Sequence, residues 1–156
     1  MRPPQTPLGL RLTQVHRTVG RAFDEALADA GGSLPVWLVV LNLKVSQVRN
    51  QRELAAAVGI REATLTHHLN AMESAGLITR RRDPANRRVH IVELTPAGED
   101  AFARLRMAAL AFDRRLRAGL SEQEIAVFSD VLTRLAANVG GDQDGPAWTG
   151  LAEERP

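Results

Sequence analysis

The sequence predicts a mainly α-helical fold with one small β-hairpin. Apolar residues recur at spacings of three and four over most of the chain, which is the repeat of amphipathic helices. The repeat changes over residues 77–94, where two strand-like runs flank the turn signal DPAN at 83–86. At 156 residues the chain is long enough to bury one substantial core. We therefore expect helices around a single core, with the hairpin near the middle of the sequence.

Two helices are predicted before residue 46. The first ends at Gly31 and Gly32, and its apolar stripe consists of Leu8, Leu12, Val15, Val19, Phe23 and Leu27. The second covers residues 35–43, which are almost continuously apolar and follow Ser33, a residue type that commonly caps helices. An apolar segment of this length indicates a buried helix, and a loop is predicted at residues 46–49.

Two shorter helices joined by a glycine turn follow. Asn50 with Glu53 three residues later resembles a capping box, which predicts a short helix that ends at Gly59. A further helix is predicted from Glu62 to the stop at Gly76. Its inward-facing residues are expected to be Leu65, Leu69, Met72 and Ala75.

A β-hairpin and two more helices complete the predicted elements. The strands cover residues 77–82 and 87–94, and the turn lies at 83–86. Thr95 and Pro96 predict the start of a long helix with the stripe Phe102, Leu105, Ala109, Phe112 and Leu116. Ser121 and Glu124 predict a capping box for a last helix, which carries Phe128, Leu132 and Leu135. Residues 140–156 are polar and rich in helix-breaking residues, so we expect a flexible tail.

Arginine dominates the basic residues and is concentrated in the hairpin. The net charge is only +2, and Lys44 is the sole lysine among 20 basic residues. Residues 80–88 contain five arginines against one acid, Asp83, a local balance of +4. Guanidinium groups suit phosphates and base edges because they form paired hydrogen bonds. Helix, glycine turn, helix and basic hairpin are the order of a winged helix-turn-helix, whose second helix enters the DNA major groove.

The segment from residue 50 to residue 99 resembles the multiple-antibiotic-resistance regulator (MarR) family. The matching stretches are ELA at 53–55, GI at 59–60, TLTHHL at 64–69, ESAGLITR at 73–80, DPANRR at 83–88 and LTPAG at 94–98. With the flanking long helices, the resemblance covers residues 6–139. Two residues depart from the family pattern. Arg61 stands where a serine cap is common, and Asn86 replaces the usual aspartate of the wing.

The resemblance implies a homodimeric, DNA-binding transcription regulator, with repressor activity as the expected mode and activator activity as the alternative. Residues 6–33 and 96–139 are expected to form a helical dimerisation domain, and residues 34–95 the winged helix-turn-helix. Two such units in one dimer suit a palindromic operator in double-stranded DNA. Family members often bind a small anionic or phenolic effector between the two domains. Trp37 and His16 are candidates for lining such a pocket, and the alternative for Trp37 is plain core packing.

The predicted recognition helix runs from Glu62 to Ser74, and Arg61 precedes it. Arg61 and Glu62, at the start of this helix, are candidates for contacting DNA. His67 occupies a position where the family often has arginine, so we expect it to contact a guanine or a phosphate; the alternative is a solvated side chain. His68 lies about 100° around the helix and is expected nearer the core. The residues that face away from the buried stripe, and are therefore candidates for contacting DNA, are Ala63, Thr64, Thr66, His67 and Asn70.

The wing supplies the remaining DNA-binding candidates. Arg88 aligns with the family's wing arginine and is expected to enter the minor groove, whose negative potential attracts guanidinium groups. Arg87 is the alternative for that role. Asp83 either orients this arginine or caps the turn. Residues 80–82 alternate between strand faces, so at most two of their arginines reach DNA, and the candidates are Arg80 and Arg82.

Composition argues against several other classes of protein. Without cysteine there is no disulfide, thiolate nucleophile or cysteine-ligated zinc. The four histidines lie in no metal-binding or catalytic motif, so we expect neither an enzyme nor a cofactor or metal site. A winged-helix protein-interaction module without DNA binding is the alternative function, and the basic wing argues against it. No apolar run approaches the roughly 20 residues that span a bilayer, and residues 1–5 precede no secretory apolar segment, so we expect a cytoplasmic protein.

Overall fold

The computed structural model describes residues 6–140, which form helices and one two-stranded antiparallel hairpin. The flexible tail predicted for residues 140–156 therefore lies outside the described residues except for Gly140. In chain order the elements are α1 (Leu8–Asp29), α2 (Leu34–Leu41), a π-helical turn (Asn42–Ser46), α3 (Gln51–Val58), α4 (Glu62–Ser74), β1 (Ile78–Arg82), β2 (His90–Leu94), α5 (Pro96–Leu116) and α6 (Glu122–Asn138). This confirms the predicted fold class.

One hydrophobic core joins the helix-turn-helix to the long helices. Leu54 of α3 and Leu65 of α4 are completely buried in it, and Trp37 of α2 is almost completely buried. Leu27 from the end of α1 and Leu105 from α5 belong to the same cluster. Burying a side chain of this size contributes about 1.5–3 kcal/mol, so the long helices are held to the helix-turn-helix by substantial apolar packing.

The helix starts follow the predicted caps, with one exception. Ser33 accepts a hydrogen bond from the Val36 amide, and Ser121 forms a complete capping box with Glu124. The capping box predicted for Asn50 and Glu53 is wrong. Asn50 caps α3 by accepting from the amide of residue 52 at 2.9 Å, while Glu53 remains exposed. The short asparagine side chain bonds two residues ahead and closes its own turn without help from the glutamate.

The second helical segment is longer than predicted because a π-helical turn follows α2. Ser46 therefore belongs to a helical turn, and the loop predicted at residues 46–49 begins one residue later, at Gln47, whose φ of +51° is left-handed. The turn is stabilised by the buried side chain of Asn42. Its Nδ2 donates a hydrogen bond to the Leu38 carbonyl oxygen at 2.8 Å. A polar group that is satisfied locally in this way can be buried at little cost.

The recognition helix has the predicted bounds, and its buried stripe contains Leu65, Leu69 and Met72 as expected. Gly76 has a φ of +72°, which only glycine adopts without strain, and it ends the helical region. The prediction that Ala75 faces inward is wrong, since this residue is exposed. It follows the last helical residue, where the chain already turns towards β1, so the helical spacing no longer describes it.

The hairpin is shorter than predicted. Ile78 lies opposite Leu94 at one end, and Arg82 lies opposite His90 at the other. The second strand, predicted for residues 87–94, therefore begins three residues later, and the two arginines before it belong to the turn. A short bridge between Asn50 and Ile91 adds a third piece of backbone to the sheet and connects it to the start of α3.

Of the long helices, α1 and α5 pack on each other. The rings of Phe23 in α1 and Phe112 in α5 lie 5.0 Å apart between centroids. By contrast, α6 has no buried residue, and more than half of the Phe128 side chain is exposed. No single helix within residues 6–140 is long and apolar enough to cross a membrane. By length and composition alone, Leu8–Asp29 and Leu34–Ser46 pass such a test together, as a pair bent by 77°.

Candidate nucleic-acid interface

The exposed face of α4 carries four of the five side chains predicted to point away from the core. Its buried stripe holds the helix against α2 and α3, so the opposite side faces solvent. Arg61 gives the helix no side-chain cap, which leaves its first amides open to other acceptors. The exposed residues on this face are Ala63, Thr64, His67 and Asn70.

Thr66, the fifth predicted residue, is half-buried and its hydroxyl is engaged within the protein. Its Oγ1 donates to the Glu62 carbonyl oxygen at 2.9 Å and accepts from Nε2 of Gln51 at 2.8 Å. The hydroxyl therefore links the start of α3 to α4. The sequence did not reveal the role of Gln51, because the bond joins residues on two helices at a spacing that no local pattern encodes.

Arg80 turns towards α4 and contacts two of its residues. Its Nε and Nη2 atoms donate to Oε2 of Glu73 at 3.1 and 2.6 Å, and its backbone amide donates to Oε1 at 3.2 Å. Nη2 also donates to Oδ1 of Asn70 at 2.6 Å. The hydrogen bond from the Arg80 guanidinium, together with its charge and its backbone amide, lowers the pKa of Glu73 below the ordinary value. Arg80 thus connects the wing to the recognition helix.

Arg81 points to the other side of the sheet. Its Nε donates to Oε2 of Glu93 at 3.1 Å, and Arg49 approaches the same carboxylate at 3.5 Å. The hydrogen bond from Arg81, with the nearby charges, lowers the pKa of Glu93. The local balance of +4 counted along residues 80–88 omits Glu73 and Glu93, each of which pairs with one wing arginine.

The turn of the wing is built by two short polar side chains. Asp83 accepts from the amide of Ala85 at 2.8 Å, and Asn86 accepts from the amide of Arg88 at 3.2 Å. The backbone closes between the Asp83 amide and the Val89 carbonyl oxygen at 2.9 Å. Of the two roles considered for Asp83, these contacts favour the cap of the turn. Asn86 caps the next part of the turn in the same way, through the Arg88 amide.

Three wing arginines, at positions 82, 87 and 88, have no acidic partner among residues 6–140. The Nη1 of Arg82 donates to the Arg87 carbonyl oxygen at 3.2 Å, which supports the base of the turn. Arg88 lines a groove of about 360 Å³ between the wing and the starts of α3 and α4. On its far side Arg52 and Glu62 approach within 3.7 Å. Within the wing, the charge that remains uncompensated therefore belongs to these three arginines.

The histidines and the predicted effector residues occupy different environments. His67 is exposed and His68 is half-buried, as predicted, with 5.7 Å between their ring centroids. Trp37 is buried and stacks on Phe102 at 6.0 Å, whereas His16 is exposed on α1. This burial favours the core alternative for Trp37. Within residues 6–140, no group of three or more histidine or acidic side chains is placed to hold a metal ion.

A second groove, of about 510 Å³, lies between the π-helical turn, the sheet and the start of α5. Lys44 and Glu99 form an ion pair of 2.8 Å at its edge, and Arg49 and Glu93 also line it. The predicted effector residues line neither of these two grooves. Sequence reasoning missed this feature because Lys44 and Glu99 are 55 residues apart.

A short helix, a second helix with an exposed polar face and an arginine-bearing hairpin define a winged helix-turn-helix protein. The MarR family model matches residues 33–90. The chain is 28% identical over 129 residues to the uncharacterised HTH-type transcriptional regulator YdgJ of Bacillus subtilis (strain 168), covering 83% of this chain and 77% of that protein. It is 32% identical to the transcriptional regulator PA3341, with a TM-score of 0.71 over 85% of this chain and 98% of that one. The chain belongs to the MarR family of transcription regulators.

Two further solved structures share the fold at lower sequence identity. A mutant MarR from E. coli, complexed with operator DNA, has a TM-score of 0.75 at 21% identity and covers 83% of this chain and 93% of that one. The PcaV transcriptional regulator from Streptomyces coelicolor, in complex with its natural ligand, has a TM-score of 0.73 at 22% identity, with coverage of 88% and 99%. At these identities the likeness concerns the fold alone.

Proposed function

We propose that this protein binds a palindromic operator as a homodimer and regulates transcription, acting as a repressor that responds to a small effector. The observation that carries the proposal is the combination of an exposed polar face on α4 with three arginines, at positions 82, 87 and 88, that lack acidic partners among residues 6–140. Membership of a family of transcription regulators supports it. The E. coli relative with the same fold was crystallised on operator DNA.

The recognition helix and the wing have different roles in this proposal. The helix reads base edges in the major groove, and the wing neutralises phosphates and inserts Arg88 or Arg87 into the minor groove. Asp83 supports the wing through its turn. Engagement of the Thr66 hydroxyl inside the protein leaves its methyl group for base contact. The residues proposed for the interface are Arg61, Glu62, Ala63, Thr64, Thr66, His67, Asn70, Arg82, Asp83, Arg87 and Arg88.

Dimerisation is proposed because the long helices carry apolar side chains that one protomer leaves uncovered. Phe128 and Val127 of α6 are 57% and 58% exposed, and Leu8 of α1 is 56% exposed. Clusters of large exposed apolar side chains mark interaction surfaces in stable proteins. A second copy of the chain would cover both ends in a closed, symmetric contact. Residues 6–33 and 96–139 would then form the dimerisation domain, and residues 34–95 the DNA-binding domain.

The remaining parts of the proposal follow from the family. We place the protein in the cytoplasm, where its DNA target lies, and assign it no catalytic activity. The effector would be a small aromatic or phenolic compound. Support for an effector comes from the PcaV relative, which was crystallised with its natural ligand. The burial of Trp37 argues that this residue supports the domain junction by packing.

Selection of bound fragments from genomic DNA tests the function directly. We expect enrichment of a palindromic site, and binding to that site should exceed binding to random DNA by about 10³-fold or more at physiological salt. A variant with Arg87 and Arg88 both changed to alanine tests the contribution of the wing to this binding. Failure to enrich any sequence, with a folded protein that captures no DNA at low salt, would instead support the protein-interaction module.

A further inference from the structure

We propose that Arg80 is a positioning residue: anchored by Glu73, it fixes the side-chain amide of Asn70 so that Asn70 presents hydrogen-bond donors to one base of each half-site. This inference rests on the proposed DNA-binding function. It replaces the expectation that Arg80 contacts DNA itself. It also assigns a recognition preference to Asn70.

The anchor is a closely packed ion pair between β1 and α4. Three hydrogen bonds join Arg80 to Glu73, at 2.6, 3.1 and 3.2 Å, one of them from the backbone amide. The Arg80 side chain is only 19% exposed, whereas that of Arg52, paired at 3.7 Å, is 86% exposed. Charge-assisted bonds of this length are about twice as strong as neutral ones. Moving Arg80 onto a phosphate would break them.

The contact with Asn70 fixes which end of its amide faces the wing. Nη2 of Arg80 lies 2.6 Å from the amide. A guanidinium has only donors, so the atom it contacts must be the acceptor, Oδ1. The Nδ2 group then points away from Arg80. An unrestrained asparagine rotates its amide and offers either end, but Asn70 is held in one orientation.

Asn70 lies on the part of α4 proposed to face the bases. It is exposed, and its spacings of three and seven from His67 and Ala63 place all three residues on one side of the helix. In the major groove, donors pair with O6 and N7 of guanine, O4 of thymine or N7 of adenine, whereas cytosine presents only an amino donor. The bidentate contact of asparagine with adenine needs Oδ1 as well as Nδ2. Because Arg80 holds Oδ1 towards the wing and leaves Nδ2 as the end that faces the bases, we expect a preference for guanine or thymine over cytosine at this position.

The test is selection of bound sites from random DNA, followed by affinity measurements at several salt concentrations. Wild-type protein should discriminate against cytosine at one position of each half-site by about 10-fold. Asn70→Ala should remove this preference. Arg80→Ala should relax the same position to less than about 3-fold, with adenine and cytosine gaining, because the amide can then rotate. The salt dependence of Arg80→Ala should match that of wild type, because Arg80 neutralises no phosphate.

Three variants control for general loss of structure. Arg81→Ala removes a neighbouring positive charge on the other side of the sheet and should leave that base preference intact. Glu73→Gln keeps Arg80 but weakens its anchor, so it should partially weaken base discrimination at the same position. This variant also tests the inference if Arg80→Ala fails to fold. The double variant Arg80→Ala, Asn70→Ala should show the same loss of base discrimination at that position as Asn70→Ala alone.

Several results would overturn the inference. One is an unchanged base preference in Arg80→Ala or Asn70→Ala while wild type still enriches a site, which contradicts the positioning role and leaves the proposed function intact. Another is a salt slope lowered by about one per subunit in Arg80→Ala, which would show that Arg80 binds a phosphate. If wild type enriches no sequence, the proposed function and this inference both fail.

Discussion

The hydroxyl of Thr95 donates a hydrogen bond to the carbonyl oxygen of Gly76 at 2.5 Å and joins the start of α5 to the end of the recognition helix. The same hydroxyl oxygen accepts from the Gly98 amide at 3.1 Å, and the Thr95 amide donates to the Leu77 carbonyl oxygen at 3.0 Å. One side chain therefore caps α5 and connects it to the turn after α4. This contact adds to the apolar core that holds the recognition helix to the long helices.

Replacing Thr95 with valine should destabilise the protein by about 1–2 kcal/mol, because the shape is kept while the cap and the bond to Gly76 are removed. The measurement is the midpoint of unfolding in urea, monitored by circular dichroism. Thr95→Ser retains the hydroxyl and should be destabilised less than the valine variant. Equal midpoints for wild type and Thr95→Val would show that the contact does not contribute to stability.

Gly98→Ala should also be destabilising. A Cβ at this position would overlap the backbone carbonyl oxygen of Leu77, which cannot move as a flexible side chain can. Forced overpacking of this kind costs about 1–3 kcal/mol. Gly20→Ala is the matched control. Gly20 lies within α1 with nothing within 4 Å of the added Cβ, and its replacement should stabilise the helix by about 0.5–1 kcal/mol. In thermal unfolding, Tm should fall for Gly98→Ala and rise for Gly20→Ala. A higher Tm in both variants would contradict the close approach.

Acid should weaken the wing through its two paired glutamates. Hydrogen bonds from Arg80 and Arg81 lower the pKa values of Glu73 and Glu93 from the ordinary 4.5. The unfolded chain therefore takes up these protons at a higher pH than the folded protein, so their contribution is complete above pH 4.5 and declines as the pH falls below it. Urea midpoints measured between about pH 3 and pH 6 should fall less steeply in Glu73→Gln. The control is Glu25→Gln, at an exposed position of α1. Its urea midpoints should change with pH as those of wild type do.

Removing the charge at the wing tip should weaken DNA binding independently of sequence. The double variant with Arg87 and Arg88 changed to alanine should bind operator and random DNA more weakly alike. Its salt slope should fall by about 0.9 for each phosphate that is no longer neutralised in each subunit. Arg104→Ala, on an exposed position of α5, removes a charge outside the wing and is the control. Normal operator binding by the double variant at physiological salt would contradict the role given to the wing.

A charge on the apolar face of α6 should prevent dimerisation without unfolding the protomer. Phe128 is already exposed within one chain, so Phe128→Glu costs the isolated protomer little, whereas burying the carboxylate in a dimer interface would be costly. Light scattering should show a dimer for wild type and a monomer for the variant. Ala126→Glu, on the opposite side of α6 by helical geometry, should remain dimeric. A wild-type monomer at micromolar concentration would contradict the proposed dimer.

The helices were predictable from the sequence because their signals are local. The bounds of α4 followed from the spacing of Leu65, Leu69 and Met72 and from Gly76, whose conformation suits only glycine. The start of β2 was not predictable. Arg87 and Arg88 directly precede the strand-like residues 89–94, but Asn86 closes a turn with its side chain and removes both arginines from the sheet.

The candidate site was predictable in position but not in its internal contacts. An exposed face on α4 and a basic wing follow from the pattern of residues, and the structure has both. The pairing of Arg80 with Glu73 and of Gln51 with Thr66 joins residues of different elements. Such contacts depend on how the hairpin and α3 pack on α4, which no spacing along one element encodes.

The wing turn is already ordered by the side chains of Asp83 and Asn86 before any partner arrives. A disordered loop would lose about 1–2 kcal/mol of conformational entropy per residue on binding, and this turn has given up that freedom during folding. What remains to be restricted is the rotamer freedom of Arg87 and Arg88, about 2 kcal/mol for each side chain. The entropic cost of engaging a groove is thereby confined to two long side chains. Loosening the turn by changing Asn86 would lower affinity although no atom that touches the nucleic acid had been removed.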